Sequence, residues 1–140
     1  MHKHSFTREE RLRGRKVFTA LFAAGKSFHA PPFRVTWQCT AATKDGKENV
    51  QAAFVVPKRN FKKATDRNRI RRRMKEAYRI HKNELRNQAS HSGVTLLFVC
   101  LYTGKEESSY LEIESKIIVT LQRLAKETQI ARGADPSKES

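Results

Sequence analysis

Six cations fall within nine residues at Arg67-Asn68-Arg69-Ile70-Arg71-Arg72-Arg73-Met74-Lys75, and the run contains no acid. A guanidinium presents a planar fork of donors that grips phosphate oxygens two at a time, and an ammonium adds a mobile point charge. Asn68 contributes a donor and an acceptor suited to a base edge or a ribose. Helix faces that merely meet water intersperse acids three or four residues from their cations, which relieves repulsion. A run without them costs stability unless phosphates offset it, so the chemistry implied is capture of a polyanion, nucleic acid first and anionic membrane second.

Bond-making chemistry is harder to find. A protein nuclease needs clustered carboxylates to hold metal ions, or paired histidines for acid–base work. Glu106 and Glu107 are adjacent, Glu112 and Glu114 point to different helix faces, and the other acids are scattered. His2, His4, His29, His81 and His91 show no ligand spacing with Cys or acid. The sequence therefore offers no catalytic residue and no metal site. His81 falls on the apolar side of the basic helix and reads as a satisfied core residue. Cys39 and Cys100, each in an apolar or alternating stretch, read as reduced core thiols.

The basic run needs a helix to aim it. Thr65 or Asp66 is placed to cap a helix that starts just before Arg67 and continues to about Leu85. At about 100° per residue, Met74, Ala77, His81, Glu84 and Leu85 gather around Ile70, while Asn68, Arg72, Lys75 and Arg79 gather on the opposite side. An earlier helix is expected from about Thr7 to Ala24, with Thr7 and Glu10 at capping-box spacing. Gly14 weakens its first half, and Gly25 marks its end. Val17, Phe18, Leu21 and Phe22 form its apolar face. Phe33 to Cys39 alternates with period two, placing Phe33, Val35, Trp37 and Cys39 on one side of a half-buried strand. Asp45-Gly46 is a hairpin signal with Val50 to Val56 as the returning strand. Val94 to Tyr102 reads as a strand buried on both faces. Ser109 and Glu112 open a last helix in which Tyr110, Ile113, Ile117, Leu121 and Leu124 recur at three and four residues.

At 140 residues with 38% hydrophobic content, the chain suits one domain over residues 1–130 and a disordered polar tail over 131–140. The longest apolar stretch is far short of the roughly 20 residues that cross a bilayer, and the N-terminus lacks a signal-peptide apolar segment. A cytoplasmic protein is expected. Net charge is +15, of which the 29 residues from Lys58 to Arg86 carry +10 and residues 1–34 carry +6. Two basic regions flank a nearly neutral remainder.

The order and content of these pieces resemble the bacterial ribonuclease P protein subunit over about residues 6 to 128. Arg67-Asn68-Arg69-Ile70-Arg71-Arg72 is similar to that family's Arg-Asn-Arg signature. A strand ending Val55-Val56-Pro57-Lys58-Arg59 precedes it, and Lys75-Glu76-Ala77-Tyr78-Arg79 follows. Arg11-Leu12, Phe18, Phe22 and Gly25 resemble the family's first helix. One departure is the linker Pro57-Lys58-Arg59-Asn60-Phe61-Lys62-Lys63-Ala64, which lacks the glycine usual in the family and is one residue longer.

The resemblance implies an α+β fold: a small α/β sandwich of four strands and about three helices in the order α-β-β-β-α-β-α, with a left-handed βαβ crossover, like the second domain of ribosomal protein S5. It implies a protein subunit that binds a catalytic RNA and the 5′ leader of precursor tRNA, one protein per RNA subunit. Mg2+ would belong mainly to the RNA. RNA-subunit contacts would come from Lys58, Arg59, Lys62, Lys63, Arg67, Asn68, Arg69, Arg71, Arg72, Lys75 and Arg79. Leader contacts would come from Phe18, Phe22, Arg34 and Thr36. By spacing alone, Phe18 and Phe22 also suit packing of a helix on a sheet. Trp37, alternating with Phe33 and Val35, reads as core. A ribosomal or RNA-chaperone protein would share the charge pattern. A DNA-binding protein would too, although no leucine heptad or second recognition motif follows.

Overall fold

The computed structural model describes residues 6–7, 10–41 and 49–133. The elements are α1 (Arg15–Ala24), β1 (Lys26–Ala30), β2 (Phe33–Ala41), β3 (Val50–Val55), α2 (Ala64–His81), α3 (Asn83–Ser92), β4 (Val94–Tyr102) and α4 (Tyr110–Gly133). Strands lie in the order β1-β2-β4-β3. β1 with β2 and β2 with β4 are antiparallel, whereas β3 runs parallel to β4.

Alternation in β2 sends Phe33, Val35 and Trp37 to one face, where Val50, Ala52, Phe54, Leu96, Phe98, Cys100 and Tyr102 join them. Ile70, Met74, Ala77 and Tyr78 of α2, Leu85 and Ala89 of α3, and Ile113, Ile117, Leu121 and Leu124 of α4 cover that face. Phe54, Tyr78 and Phe98 form an aromatic cluster with ring centroids 5.4 to 6.1 Å apart, distances at which tilted and edge contacts are favourable. The other face is only partly covered. There Leu12 and Leu21, with Val17 and Phe18, pack on Ala53, Val55, Leu97 and Val99. The result is an α+β sandwich with three helices on one side of the sheet and one on the other.

Several boundaries differ from the sequence expectation. Phe33 to Cys39 and Val50 to Val56 are not a hairpin. β2 pairs along its whole length with β4, and β3 reaches the far side of β4 in parallel through the crossover α2–α3. Asp45-Gly46, the expected turn, lies outside the described residues. The actual hairpin joins β1 to β2 through Pro31-Pro32, whose peptide bond is cis. β1 buries only Phe28, so it carries no alternation to see in the sequence. The basic helix is interrupted at Lys82 and α3 follows, giving four α-helices among the described residues. Thr65 and Asp66 sit in the first turn of α2; the residue before it is Lys63, which makes no side-chain cap.

The α1 expectation splits at Gly14, whose φ of 102° precedes the first helical residue. Thr7 does donate to Glu10, from its amide and its hydroxyl, both at 3.0 Å, yet α1 does not begin until Arg15. Gly25 ends α1 for want of space: a Cβ there would lie 2.5 Å from the Leu21 carbonyl oxygen and 2.9 Å from that of Trp37. At α4 the capping box forms in full, with the Ser109 amide donating to Glu112 and the Glu112 amide to Ser109. That helix runs to Gly133, and residues 134–140 of the expected tail lie outside the described residues. Cys39 and Cys100 are both free thiols, and burial pushes each thiol's pKa up.

Candidate nucleic-acid interface

The cations of α2 divide into two sets by what they touch. Arg69 donates to Asp66 at 2.8 Å and to Glu107 at 2.9 Å, and Arg73 reaches Glu107 at 2.9 Å and the Ser108 carbonyl at 2.7 Å. These contacts tie α2 to the β4–α4 loop. Hydrogen bonds from Arg69, with the charges of Arg69 and Arg73, hold the Glu107 carboxyl below its ordinary pKa. Arg79 is likewise paired, with Glu76 at 2.6 Å. The second set faces outward with no acid paired to it among the described residues. Arg72 is exposed, Arg71 donates to the Asn68 side-chain oxygen at 2.8 Å, and Lys75 is half-buried beside Arg71 and Arg11. Burial, then the charges of Arg11 and Arg71, lower the Lys75 pKa. A concentration of positive charge that disfavours further protonation is one that favours a bound phosphate.

Arg67 takes neither role. Its Nη1 donates to the carbonyls of Phe61 at 2.8 Å and Lys62 at 2.9 Å, which clamps the linker ahead of α2. Phe61 is buried against Tyr102, with ring centroids 5.8 Å apart. The linker is thus anchored by an aromatic residue and an arginine instead of being shaped by a glycine. Lys58, Arg59, Lys62 and Lys63 all stand exposed around that anchor.

On the opposite face of the sheet, Phe22, Ser27, Arg34, Thr36, Val99 and Leu101 line a cleft of about 270 Å3. α1 forms its wall because Leu21 is fully buried, which turns Phe22 outward to 58% exposure. Phe18 stacks on Phe22, centroids 6.4 Å apart and rings within 26°, but is half-buried against the small core beneath α1. The two readings of the aromatic pair therefore separate: Phe18 packs and supports, and Phe22 is presented. Arg34 and Thr36 lie with Phe22 in the same cleft. Trp37 is buried on the other face, as its alternation predicts.

Ser27 and Arg11 are the positions that residue-type reasoning passes over. Ser27 enters the cleft through its register with Thr36, and β1 was invisible in the sequence. Arg11 reaches the α2 cations because the N-terminal segment bridges to Ala52 on the edge strand. The +6 of residues 1–34 was the available signal for it. His81 is half-buried, not core, with Nε2 2.9 Å from a Glu114 carboxylate oxygen. Among the described residues no group of three or more His, Cys, Asp or Glu could hold a metal ion, and no helix is long and apolar enough to cross a membrane.

The mixed sheet, the acid-free ridge of α2 and the cleft under α1 define an α+β nucleic-acid-binding protein. The family model described as Ribonuclease P matches residues 6–125. The chain is 34% identical over 114 residues to the ribonuclease P protein component of Chlorobium phaeobacteroides, covering 77% of this chain and 78% of that one. Identity to the component from Thermotoga maritima is 41% over 78 residues, 56% and 62% of the two chains. The solved RNase P protein of Thermotoga maritima superposes with a TM-score of 0.59 at 26% identity, covering 81% of this chain and 96% of that one. The RNase P protein of Staphylococcus aureus shares the fold, with a TM-score of 0.63 over 84% and 95% of the chains at 18% identity. The chain belongs to the ribonuclease P protein family. It is the non-catalytic protein subunit of that ribonucleoprotein enzyme and acts with the RNA subunit to remove the leader of precursor tRNA.

Proposed function

We propose that this subunit makes two separate RNA contacts, one through α2 and its linker with the catalytic RNA, the other through the cleft beneath α1 with the single-stranded 5′ leader. The observation that carries this reading is the opposition of the two surfaces. The outward cations of α2 and Phe22, Arg34 and Thr36 lie on opposite faces of one rigid sheet, so one molecule is able to hold both RNAs without competition. Asn68, Arg71, Arg72 and Lys75 supply the contact on α2, and Lys58, Arg59, Lys62 and Lys63 extend it. Arg69 and Arg79, each already paired with an acid, add charge at the margins.

Bond cleavage belongs in this reading to the RNA subunit with its Mg2+ ions. The chain contributes substrate affinity and electrostatic relief between two polyanions, at one protein per RNA subunit in the cytoplasm. Phe22 gives a leader base an aromatic face, Arg34 a charge for its phosphate, and Thr36 a hydroxyl. Reconstitution with ribonuclease P RNA at low Mg2+ tests the proposal: the protein should accelerate cleavage of leader-bearing precursor and tighten its binding. No gain over RNA alone would overturn it.

A further inference from the structure

Glu107 reaches α2 from the loop between β4 and α4 and enters a fork made by two arginines. Arg69 grips the carboxylate with Nε and Nη2, one nitrogen on each oxygen, and Arg73 Nη1 adds a third contact at 2.9 Å. The two arginines are neighbours on one helix face, where like charges four residues apart repel unless an anion lies between them. The fork is open to solvent, with the Arg69 side chain 46% exposed, and it adjoins Arg72 one helical turn away. Neither arginine depends on Glu107 for its aim. Arg69 also donates to Asp66, and Arg73 to the Ser108 carbonyl at 2.7 Å. The loop has an anchor of its own as well. The buried Tyr102 hydroxyl donates to the Glu106 carbonyl and accepts from the Ser108 amide, which fixes the backbone on both sides of Glu107. Rotation of one side chain therefore empties the fork and leaves both arginines and the loop in place.

Resting on the reading of α2 as the RNA-subunit contact, we infer that Glu107 stands in for an RNA phosphate, and that the Arg69–Arg73 fork exchanges it for a phosphodiester of the catalytic RNA on docking. Arg73, which lies outside the outward set of cations, thereby becomes an RNA-binding residue. A phosphodiester matches the carboxylate in both respects that the fork recognises: a single negative charge, and two oxygens that accept parallel N–H donors. Exposed arginine–carboxylate pairs are weak, so the exchange costs little. An RNA strand already held by Arg71, Arg72 and Lys75 brings its next phosphates to the fork at high effective concentration, and Glu107 opposes it with one charge. In the free subunit the same carboxylate relieves repulsion within the basic run. Glu107 is thus a resident competitor for the site, present until a better-placed anion arrives.

The test measures binding of the full chain to ribonuclease P RNA, and then of precursor tRNA to the assembled holoenzyme. Glu107→Gln should tighten RNA-subunit binding about fivefold, because no carboxylate has to be displaced. Glu106→Gln makes the same change in net charge at an exposed neighbour and should tighten it by less than about twofold. Arg73→Gln should weaken binding roughly tenfold and reduce the salt slope by about one. With Arg69→Gln and Arg73→Gln both in place, adding Glu107→Gln should bring no further gain. Thermal melting of each variant keeps loss of fold apart from loss of affinity. Equal gains from Glu106→Gln and Glu107→Gln, a Glu107→Gln gain that survives loss of both arginines, or an Arg73→Gln variant that binds like the parent overturns the inference. A change confined to precursor binding also overturns it, by giving the phosphate to the substrate. Arg72→Ala separates the inference from its premise: if that variant loses RNA-subunit affinity while the fork variants match the parent, α2 binds the RNA and Glu107 only braces the loop. If Arg72→Ala loses none either, α2 is not the contact.

Discussion

The Lys82 ammonium lies 2.6 Å from a carboxylate oxygen of Glu10, and both side chains are almost wholly shielded from solvent, at 1% and 2% exposure. The residues are 72 apart in sequence. Their pairing pins the N-terminal segment, which carries Arg11 and leads into α1, to the break between α2 and α3. It is therefore the joint between the wall of the cleft and the end of the basic helix.

Removing one partner leaves the other charged and buried. Lys82→Met should cost about 3 to 5 kcal/mol, the usual penalty for breaking a buried pair. Lys82→Met with Glu10→Gln should recover part of that loss. Urea unfolding of the three proteins gives the comparison, and additive losses would mean that the two groups are energetically independent.

The same pair sets an acid limit. Burial pushes the Glu10 carboxyl up, but hydrogen bonds from Lys82 and Thr7 and the charge of Lys82 outweigh it and hold the pKa below the ordinary 4.5. A carboxyl with a depressed folded pKa stabilises fully above its unfolded value and loses that contribution as pH falls through the folded one. Stability should decline below about pH 4.5 more steeply in the parent than in the doubly neutral variant. Unfolding free energies measured from pH 6 to 3 decide this, and parallel curves would assign the decline to other acids.

Arg67 and Arg72 should fail differently. Arg72→Ala is expected to weaken RNA-subunit binding and reduce the salt slope by about one, as loss of a phosphate contact does. Hydrogen exchange in residues 58–63 should not change. Arg67→Ala should instead speed exchange there, because the Phe61 and Lys62 carbonyls lose their donor, with affinity falling as the linker loosens. For the parent, about 6 to 10 engaged phosphates would lower affinity roughly 10³- to 10⁵-fold between 50 and 200 mM salt. A much flatter dependence would mean that most of the charge is solvated surface.

Phe18 and Phe22 should also separate. Phe22→Ala removes an exposed ring, so stability should hold while binding of leader-bearing over mature tRNA drops by about 1 to 3 kcal/mol. Phe18→Ala also removes packing on the Leu12–Leu21–Val99 cluster and should lower the thermal midpoint as well. Equal losses of stability in both variants would return Phe22 to the core.

The sequence by itself determined the chemistry. Acid-free spacing from Arg67 to Lys75 pointed to a helix suited to a polyanion, the alternation of β2 identified Trp37 as core, and the Arg-Asn-Arg signature in its context identified the family. Those are local properties, carried by residue type and period. What only the tertiary structure decided depends on contacts between distant segments. It showed that Arg67 clamps a linker and Arg69 and Arg73 hold a loop, because Glu107 lies 38 residues from Arg69 in sequence. Pairing of β2 with β4 in place of β3 was hidden for a related reason: alternation reveals a strand's faces but not its neighbours. Ser27 became visible only through its register with Thr36. The Glu10–Lys82 pair stood in the sequence as half of a capping box and one lysine among many, and burial on folding is what made it a joint.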